Sequence, residues 1–438
     1  MQFHEALHYL LSLGHETLAM KLGLRNIELL LAGLGDPQRC YPVVQIAGTN
    51  GKGSTAVVLD SICSSAGIKS GLFTSPHLIS ITERVCIAAK AISEDSFALH
   101  TTQVRDVAQL LVDQREMEVL PTFFEQLTAI ALLAFREAKV ELAILETGLG
   151  GRLDSTTGAK ADLVAITPIA IDHEEYLGST IESIASEKAA IIRPGVTAII
   201  APQSPEALEV ILKRCESCNV EPSIANFPVE LEYITSDGRY CVTFETKKDR
   251  YEHVLIGLRG RHQTTNAAVA IRLAESLPMY VPRWAISEGI EKARHRGRLE
   301  LWESNPAFLF DGAHNPAGAQ ALRNYLDEHV ATPLTLVFGA MRDKNLNEIG
   351  EILFDAASQL ILTRVDNERA ATIDQLRGVA SRIVDPGKIF PGDSVKEALR
   401  VALDITPTNG VVCFTGSLYL IGEAQSAAKE MNVQSTRK

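Results

Sequence analysis

What the 438-residue sequence lacks already excludes several classes of protein. No apolar run is long. The longest lies near Leu127 to Phe135, far short of the roughly 20 residues that span a bilayer. No basic segment precedes a hydrophobic run at the start, where His4, Glu5, His8, His15 and Glu16 interrupt the apolar residues, so an export signal is not expected. Positive charge is in short supply, with 42 Lys and Arg against 54 Asp and Glu and a formal net charge of -12. That balance argues against a nucleic-acid partner, and an anionic ligand would need placed cations, a metal ion or a helix N-terminus. Cysteine is sparse, and seven scattered residues, an odd number, read as reduced thiols. Cys215 and Cys218 have the spacing of half a zinc site, but no second pair or His-x-His spacing completes four ligands. Repeats and low-complexity segments are missing, and only the last eight or so residues read as frayed. A cytoplasmic globular protein with neither a membrane nor a nucleic-acid partner remains.

The chain has ample apolar material, 46% of its residues, and its length suggests two or three domains at roughly 150 residues each. From Val43 onward, short β-branched runs alternate with helical stretches: Val43 to Ala47, Gly71 to Thr74, Leu142 to Glu146, Leu163 to Thr167 and Ala198 to Ile200. Continuous apolar runs separated by helices predict an α/β fold with a parallel sheet covered on both faces. Between Pro228 and Leu258 the pattern changes to alternating strands around an Asp237-Gly238 turn, which predicts a small antiparallel appendage. Strand–helix alternation restarts after Arg294 to Arg298, with strands expected at 307–310, 334–338, 359–362 and 411–414. The expected division is therefore 1–296 and 297–438. In such sheets ligands bind beyond the carboxyl ends of the strands.

The segment Gly48-Thr49-Asn50-Gly51-Lys52-Gly53-Ser54 follows a strand and opens a helix. Its glycines let backbone N–H groups curl around phosphate oxygens, and the helix N-terminus adds favourable partial charge. Lys52 can reach terminal phosphates, and Ser54 can touch a phosphate or its magnesium ion. The usual spacing sets Ser or Thr directly after Lys, whereas here Gly53 intervenes. Glu146 ends a buried strand, where a carboxylate either holds magnesium against a triphosphate or faces water. Ser75 sits just past a strand, where it can cap the turn beside Pro76. His173 reads as a hydrogen-bonded structural residue, and Lys188 as a surface lysine beside Glu187.

This variant loop resembles the signature of the Mur ligase superfamily, and the chain resembles its folate branch, the folylpolyglutamate and dihydrofolate synthases. The resemblance also rests on Leu72 to Leu78, Glu146 to Asp154, Asp172-His173, Ser186 to Ala189, Arg259 to Gln263 with Asn266, Gly297 to Glu300 and Asp311 to Pro316. It implies a P-loop ATPase domain, then a Rossmann-like glutamate-ligase domain, and ATP-dependent joining of L-glutamate to dihydropteroate or to folates. It implies that Ser75, Glu146 and His173 ligate magnesium, with two ions expected. By the same resemblance Lys188 is expected to be carbamylated, turning a cation into an anion able to ligate or position the second ion. The resemblance also implies that Asn266, Arg298 and Asp311 contact ATP, with His314 near the phosphates. Lys344 matches a motif without a derived role.

Thr122 and Glu125 form a capping box before an apolar helix, a complete structural explanation by itself. Thr122, Phe123, Phe124 and Glu125 also resemble a dihydropteroate-binding motif, in which adjacent aromatics stack on a flat ring. Leu153, Asp154 and Ser155 resemble the opposite wall. Two alternatives compete: a cell-wall Mur-type ligase and a non-catalytic nucleotide switch. The first generally carries an extra N-terminal domain, for which the roughly 42 residues before the first strand are too few. The second needs neither the Asp311 and His314 domain nor Lys188. A monomer is expected, because two domains already build a cleft.

Overall fold

The computed structural model describes residues 1–14 and 23–431. His15 and Glu16 of the N-terminal reading, and residues 432–438 of the C-terminal one, lie outside them. The fold is α/β, with an eight-stranded sheet, a three-stranded antiparallel sheet and a six-stranded sheet. Across the first sheet the strands run Lys90–Ala91, Val85–Ile87, Ser70–Phe73, Leu142–Glu146, Val43–Ala47, Leu163–Ile166, Thr197–Ile200 and Pro222–Ile224. The four central ones are parallel and wholly buried, as their apolar runs require. The sheet departs from the expected parallel pattern at one edge, where Val85–Ile87 and Lys90–Ala91 pair antiparallel. No crossover helix separates Phe73 from Val85, and a parallel return needs a connection that recrosses the sheet.

The second sheet orders Glu300–Trp302, Ala307–Asp311, Val411–Thr415, Leu334–Phe338, Gln359–Thr363 and Ile389–Gly392, parallel except for its first strand. The hairpin appears as expected, with Val229–Ile234 and Tyr240–Glu245 around the Asp237-Gly238 turn. Its tip rests on the second sheet's helix Pro316–His329: the Tyr325 hydroxyl donates to the Asp237 carbonyl at 3.0 Å. A Cβ on Gly238 would lie 2.4 Å from the Tyr325 ring. The appendage therefore braces both halves of the molecule.

Helix Phe123–Glu137 packs its apolar face onto the first sheet, and the Thr122–Glu125 box starts it three residues earlier than its apolar run suggests. Its Phe135 ring occupies the space a side chain at Gly71 would need, 2.5 Å from the position of a Cβ there. We expect Gly71→Ala to lower stability by about 1–3 kcal/mol through overpacking. Chemical denaturation should read this as a lower midpoint at unchanged slope, with Phe135→Leu recovering part of the loss.

Candidate active site

The sheet order reverses at Val43–Ala47: the chain moves to one side for the next strands and then to the other. Ligands in open α/β sheets sit at such a point, outside the carboxyl ends. The loop 48–51 leaves that strand there, and helix Lys52–Ser65 starts immediately after Gly51 at φ 88°. The N–H groups of its first turn lack intrahelical partners and face the loop. The loop is tied down from behind, since the Thr49 and Asn50 amides both donate to the Pro168 carbonyl. Glycine is needed at two positions for space. A Cβ on Gly48 would meet Thr167 Oγ1 at 1.8 Å, and one on Gly51 would meet Asn266 Oδ1 at 2.3 Å. Asn266, buried one turn into helix His262–Ser276, thus abuts the loop.

Two lysines converge on one carbonyl of the loop. Lys52 Nζ donates to Gly48 O and Thr49 O, both at 3.1 Å, and Lys188 Nζ donates to Gly48 O at 2.8 Å. The surface-lysine reading of Lys188 is thereby corrected: it is 4% exposed, and it is Arg152 that pairs with Glu187. Its helix ends at Ala189 and turns this residue inward. Burial, reinforced by the Lys52 charge, pushes the Lys188 amine down to about 7.

Glu146, Ser75 and Ser54 meet beside the loop. The Glu146 carboxylate accepts the Ser75 amide at 3.1 Å, and burial pushes its pKa up while Lys52 opposes the shift. A Cβ on Gly53 would lie 3.2 Å from both Glu146 carboxylate oxygens and 2.9 Å from His295 Cε1. Ser54 Oγ lies 3.2 Å from His295 Nδ1. Nothing in the sequence pointed to His295, whose place in a basic stretch resembles a solvated linker. Among the described residues no group of three or more His, Cys, Asp or Glu can hold a metal alone. One buried carboxylate and two serine hydroxyls are oxygen donors of the kind a hard cation takes alongside phosphate and water, whereas the His173 imidazole, lowered to about 3 by burial and so neutral, is a nitrogen donor that such a cation uses less often.

The second sheet brings Asp311, at the end of Ala307–Asp311, toward the same place. Its carboxylate accepts the Leu299 amide at 2.9 Å and the Ala313 amide at 3.0 Å, fixing the connection that carries Arg298. A side chain at Gly312 would meet Arg298 Nη1 at 2.8 Å. His314 Nδ1 donates to the Gly312 carbonyl at 2.7 Å, and burial pushes the ring down to about 4, leaving an Nε2 lone pair. Asp172 is the junction. It accepts from Lys344 Nζ at 2.6 Å and Asn315 Nδ2 at 2.9 Å, and His314 Nε2 lies 3.6 Å away. Asn315 also exchanges amide hydrogen bonds with Asn50 of the phosphate loop, at 3.1 and 3.4 Å.

A cleft of about 580 Å³ opens from this junction. Of the acceptor-pocket residues expected, Thr122, Phe124, Glu125, Leu153, Asp154 and Ser155 line it. Phe123 does not and is corrected: one residue along a helix turns about 100°, which sends its ring into the core under the Arg84 guanidinium. Asp154 caps the short helix Ser155–Ala159 and also accepts the Leu149 amide, so its place in the wall is structurally fixed. From the second sheet come Met341, Lys344, Arg369, Ser417 and Tyr419, which the sequence reading did not assign. All follow carboxyl ends of strands, and that placement was the available signal.

Residues 46–274 match the Mur ligase middle domain, and residues 297–418 match the Mur ligase glutamate ligase domain. The chain belongs to the Mur ligases, in their folate branch. It is 35% identical to a dihydrofolate synthase/folylpolyglutamate synthase of Bacillus subtilis, over 95% of this chain and 97% of that one. It is 32% identical to a probable bifunctional folylpolyglutamate synthase/dihydropteroate synthase of Haloferax volcanii, over its whole length but only 52% of that relative, about half. Among solved structures, Mycobacterium tuberculosis folylpolyglutamate synthase complexed with ADP superposes with TM-score 0.90 at 29% identity, over 97% of each chain. Escherichia coli FolC in complex with DHPP and ADP gives 0.88 at 28%, over 99% of each.

In this folate-branch ligase the Asp172–Lys344 pair is almost wholly buried, each side chain 7% exposed. Lys344→Met leaves a buried carboxylate short of its cation and should cost about 3–5 kcal/mol. Adding Asp172→Asn should restore most of that loss. Chemical denaturation of the two single variants and the double one checks it.

Proposed function

We propose that this chain joins the amine of L-glutamate to the carboxylate of dihydropteroate, of (tetrahydro)folates, or of both, in an ATP-dependent reaction. One observation carries the reading: the carboxyl ends of two largely parallel sheets face a single cleft that holds the Phe124 wall together with His173, His314 and Lys344, and the phosphate loop is bonded to that junction through Asn50 and Asn315. The relatives named above support it. A further structural neighbour, a bifunctional folylpolyglutamate synthase/dihydrofolate synthase with Mn, AMPPNP and L-glutamate bound, has TM-score 0.85 at 27% identity.

Amide formation requires an activated acid. The γ-phosphoryl group passes from ATP to the carboxylate and ADP leaves. The glutamate amine then attacks the acyl carbon, phosphate departs, and the amine gives up a proton. Lys52 and the first-turn amides of its helix hold the triphosphate, with Asn266, Arg298 and Asp311 placing the nucleotide. His314, neutral with Nε2 unprotonated, is available to take the amine's proton. Thr122, Phe124, Glu125, Leu153, Asp154 and Ser155 receive the pterin end. Lys344, bonded to Asp172, and Arg369, bonded to Asp343, border the cleft where the amino acid would sit. Ser54, Ser75, Glu146 and His173 would hold a divalent cation, magnesium in this reading with two ions in the full site, which when bound would neutralise phosphoryl charge. Closure of residues 1–296 on residues 297–438 keeps water from the acyl phosphate. We take the chain to act as a cytoplasmic monomer. No described helix is long and apolar enough to cross a membrane.

Phosphate release from ATP with magnesium and glutamate is the deciding measurement. Turnover with dihydropteroate and with tetrahydrofolate establishes two acceptors, and turnover with tetrahydrofolate alone restricts the enzyme to chain extension. Turnover with neither overturns the folate reading and favours a Mur-type ligase of another acceptor.

Lys188 is the site of carbamylation in this reading. Only a neutral amine attacks carbon dioxide, and a pKa lowered to about 7 makes the neutral form dominant above that pH and scarce below it. Activity should rise with bicarbonate and with pH through about 7. Lys188→Gln should lose about 10²–10³-fold in turnover and all bicarbonate dependence. An intact mass without the added carbon dioxide, taken under bicarbonate, overturns the modification.

A further inference from the structure

The connection between the two halves, residues 293–299, delivers Arg298 and also delivers His295 to the phosphate loop. His295 Nδ1 lies 3.2 Å from Ser54 Oγ, and its Cε1 converges with both Glu146 oxygens on the point a Gly53 Cβ would occupy. A hydroxyl that gives a lone pair to a cation has to direct its hydrogen elsewhere. Arg298, the charged neighbour of this imidazole, has no acceptor atom. We propose that His295 is a positioning residue: its Nδ1 accepts the Ser54 hydroxyl hydrogen, so that the Ser54 oxygen faces the divalent cation bound with the nucleotide. The inference rests on the reading of Ser54 as a metal donor.

Both halves hold His295 in place. On its C-terminal side, Arg296 donates to Glu83 of the first half at 3.1 Å and to Gln425 of the second at 2.7 Å. Leu299 is tied to Asp311. The metal seat is therefore complete only when the two halves are docked. A histidine bonded to a ligating group acts on metal affinity through orientation, an effect of about 10–100-fold in comparable sites.

The test measures Mn²⁺ binding to the ADP-loaded full-length chain by electron paramagnetic resonance, with ADP affinity in chelator as a second readout. His295→Leu should weaken Mn²⁺ binding about 10-fold and leave metal-free ADP affinity and the melting temperature unchanged. His295→Asn, whose side-chain oxygen can still accept, should recover part of the loss. In a Ser54→Ala background, which itself binds Mn²⁺ more weakly, His295→Leu should add nothing. Additive losses, or a fall in metal-free ADP affinity, overturn the proposal by making the ring a nucleotide contact or a structural prop. Unchanged Mn²⁺ binding in His295→Leu overturns it alone. Unchanged binding in Ser54→Ala overturns the Ser54 reading as well.

Discussion

The arrangement depends on one buried carboxylate placed between two sheets. Asp172 belongs to the first half, where it accepts the His173 amide, while Lys344 and Asn315, with His314 nearby, reach it from the second. Burying a carboxylate costs several kcal/mol unless charge and hydrogen bonds compensate, so these partners are held close. The surrounding cations and imidazoles outweigh that burial and hold the Asp172 carboxyl well below the usual carboxylate range. Asn315 carries the linkage onward to Asn50 and so to the phosphate loop. A displacement of the second half is therefore felt at the loop through two side chains.

In the proposed reaction this junction lets three substrates meet in one cleft. Each sheet alone offers half a site at its carboxyl edge. The first supplies the loop, the two lysines and the carboxylates Glu146 and Asp172. The second supplies His314, Lys344 and the charges beyond strand Gln359–Thr363. The hairpin at Asp237-Gly238, seated on Tyr325, braces the halves at a second place away from the cleft. Two supports, one at the cleft and one away from it, restrict how the halves can move, and a cleft that opens and closes can admit substrates and then exclude water.

The two lysines illustrate how tertiary packing converts residue type into chemistry. An ammonium group beside another cation and out of water is destabilised, which is why the Lys188 amine is pushed down. The same residue on an open helix face would remain charged and inert. Its position follows from the helix Ile181–Ala189 packing against the loop that begins at Gly48.

The sequence by itself determined the local structures. Apolar runs without alternation specified buried parallel strands at Val43–Ala47, Leu142–Glu146 and Leu334–Phe338, and the glycines at 48, 51 and 53 specified a phosphate loop. Those signals are local, because strand burial and turn chemistry act over a few residues. Tertiary structure alone decided which side chains meet. It put Lys188 inside, sent Phe123 into the core while leaving Phe124 in the cleft, and brought His295 to Ser54 and Lys344 to Asp172 across 241 and 172 residues. Contacts at such separations depend on how two sheets dock, and docking is set by packing and charge pairing that no short window of sequence contains.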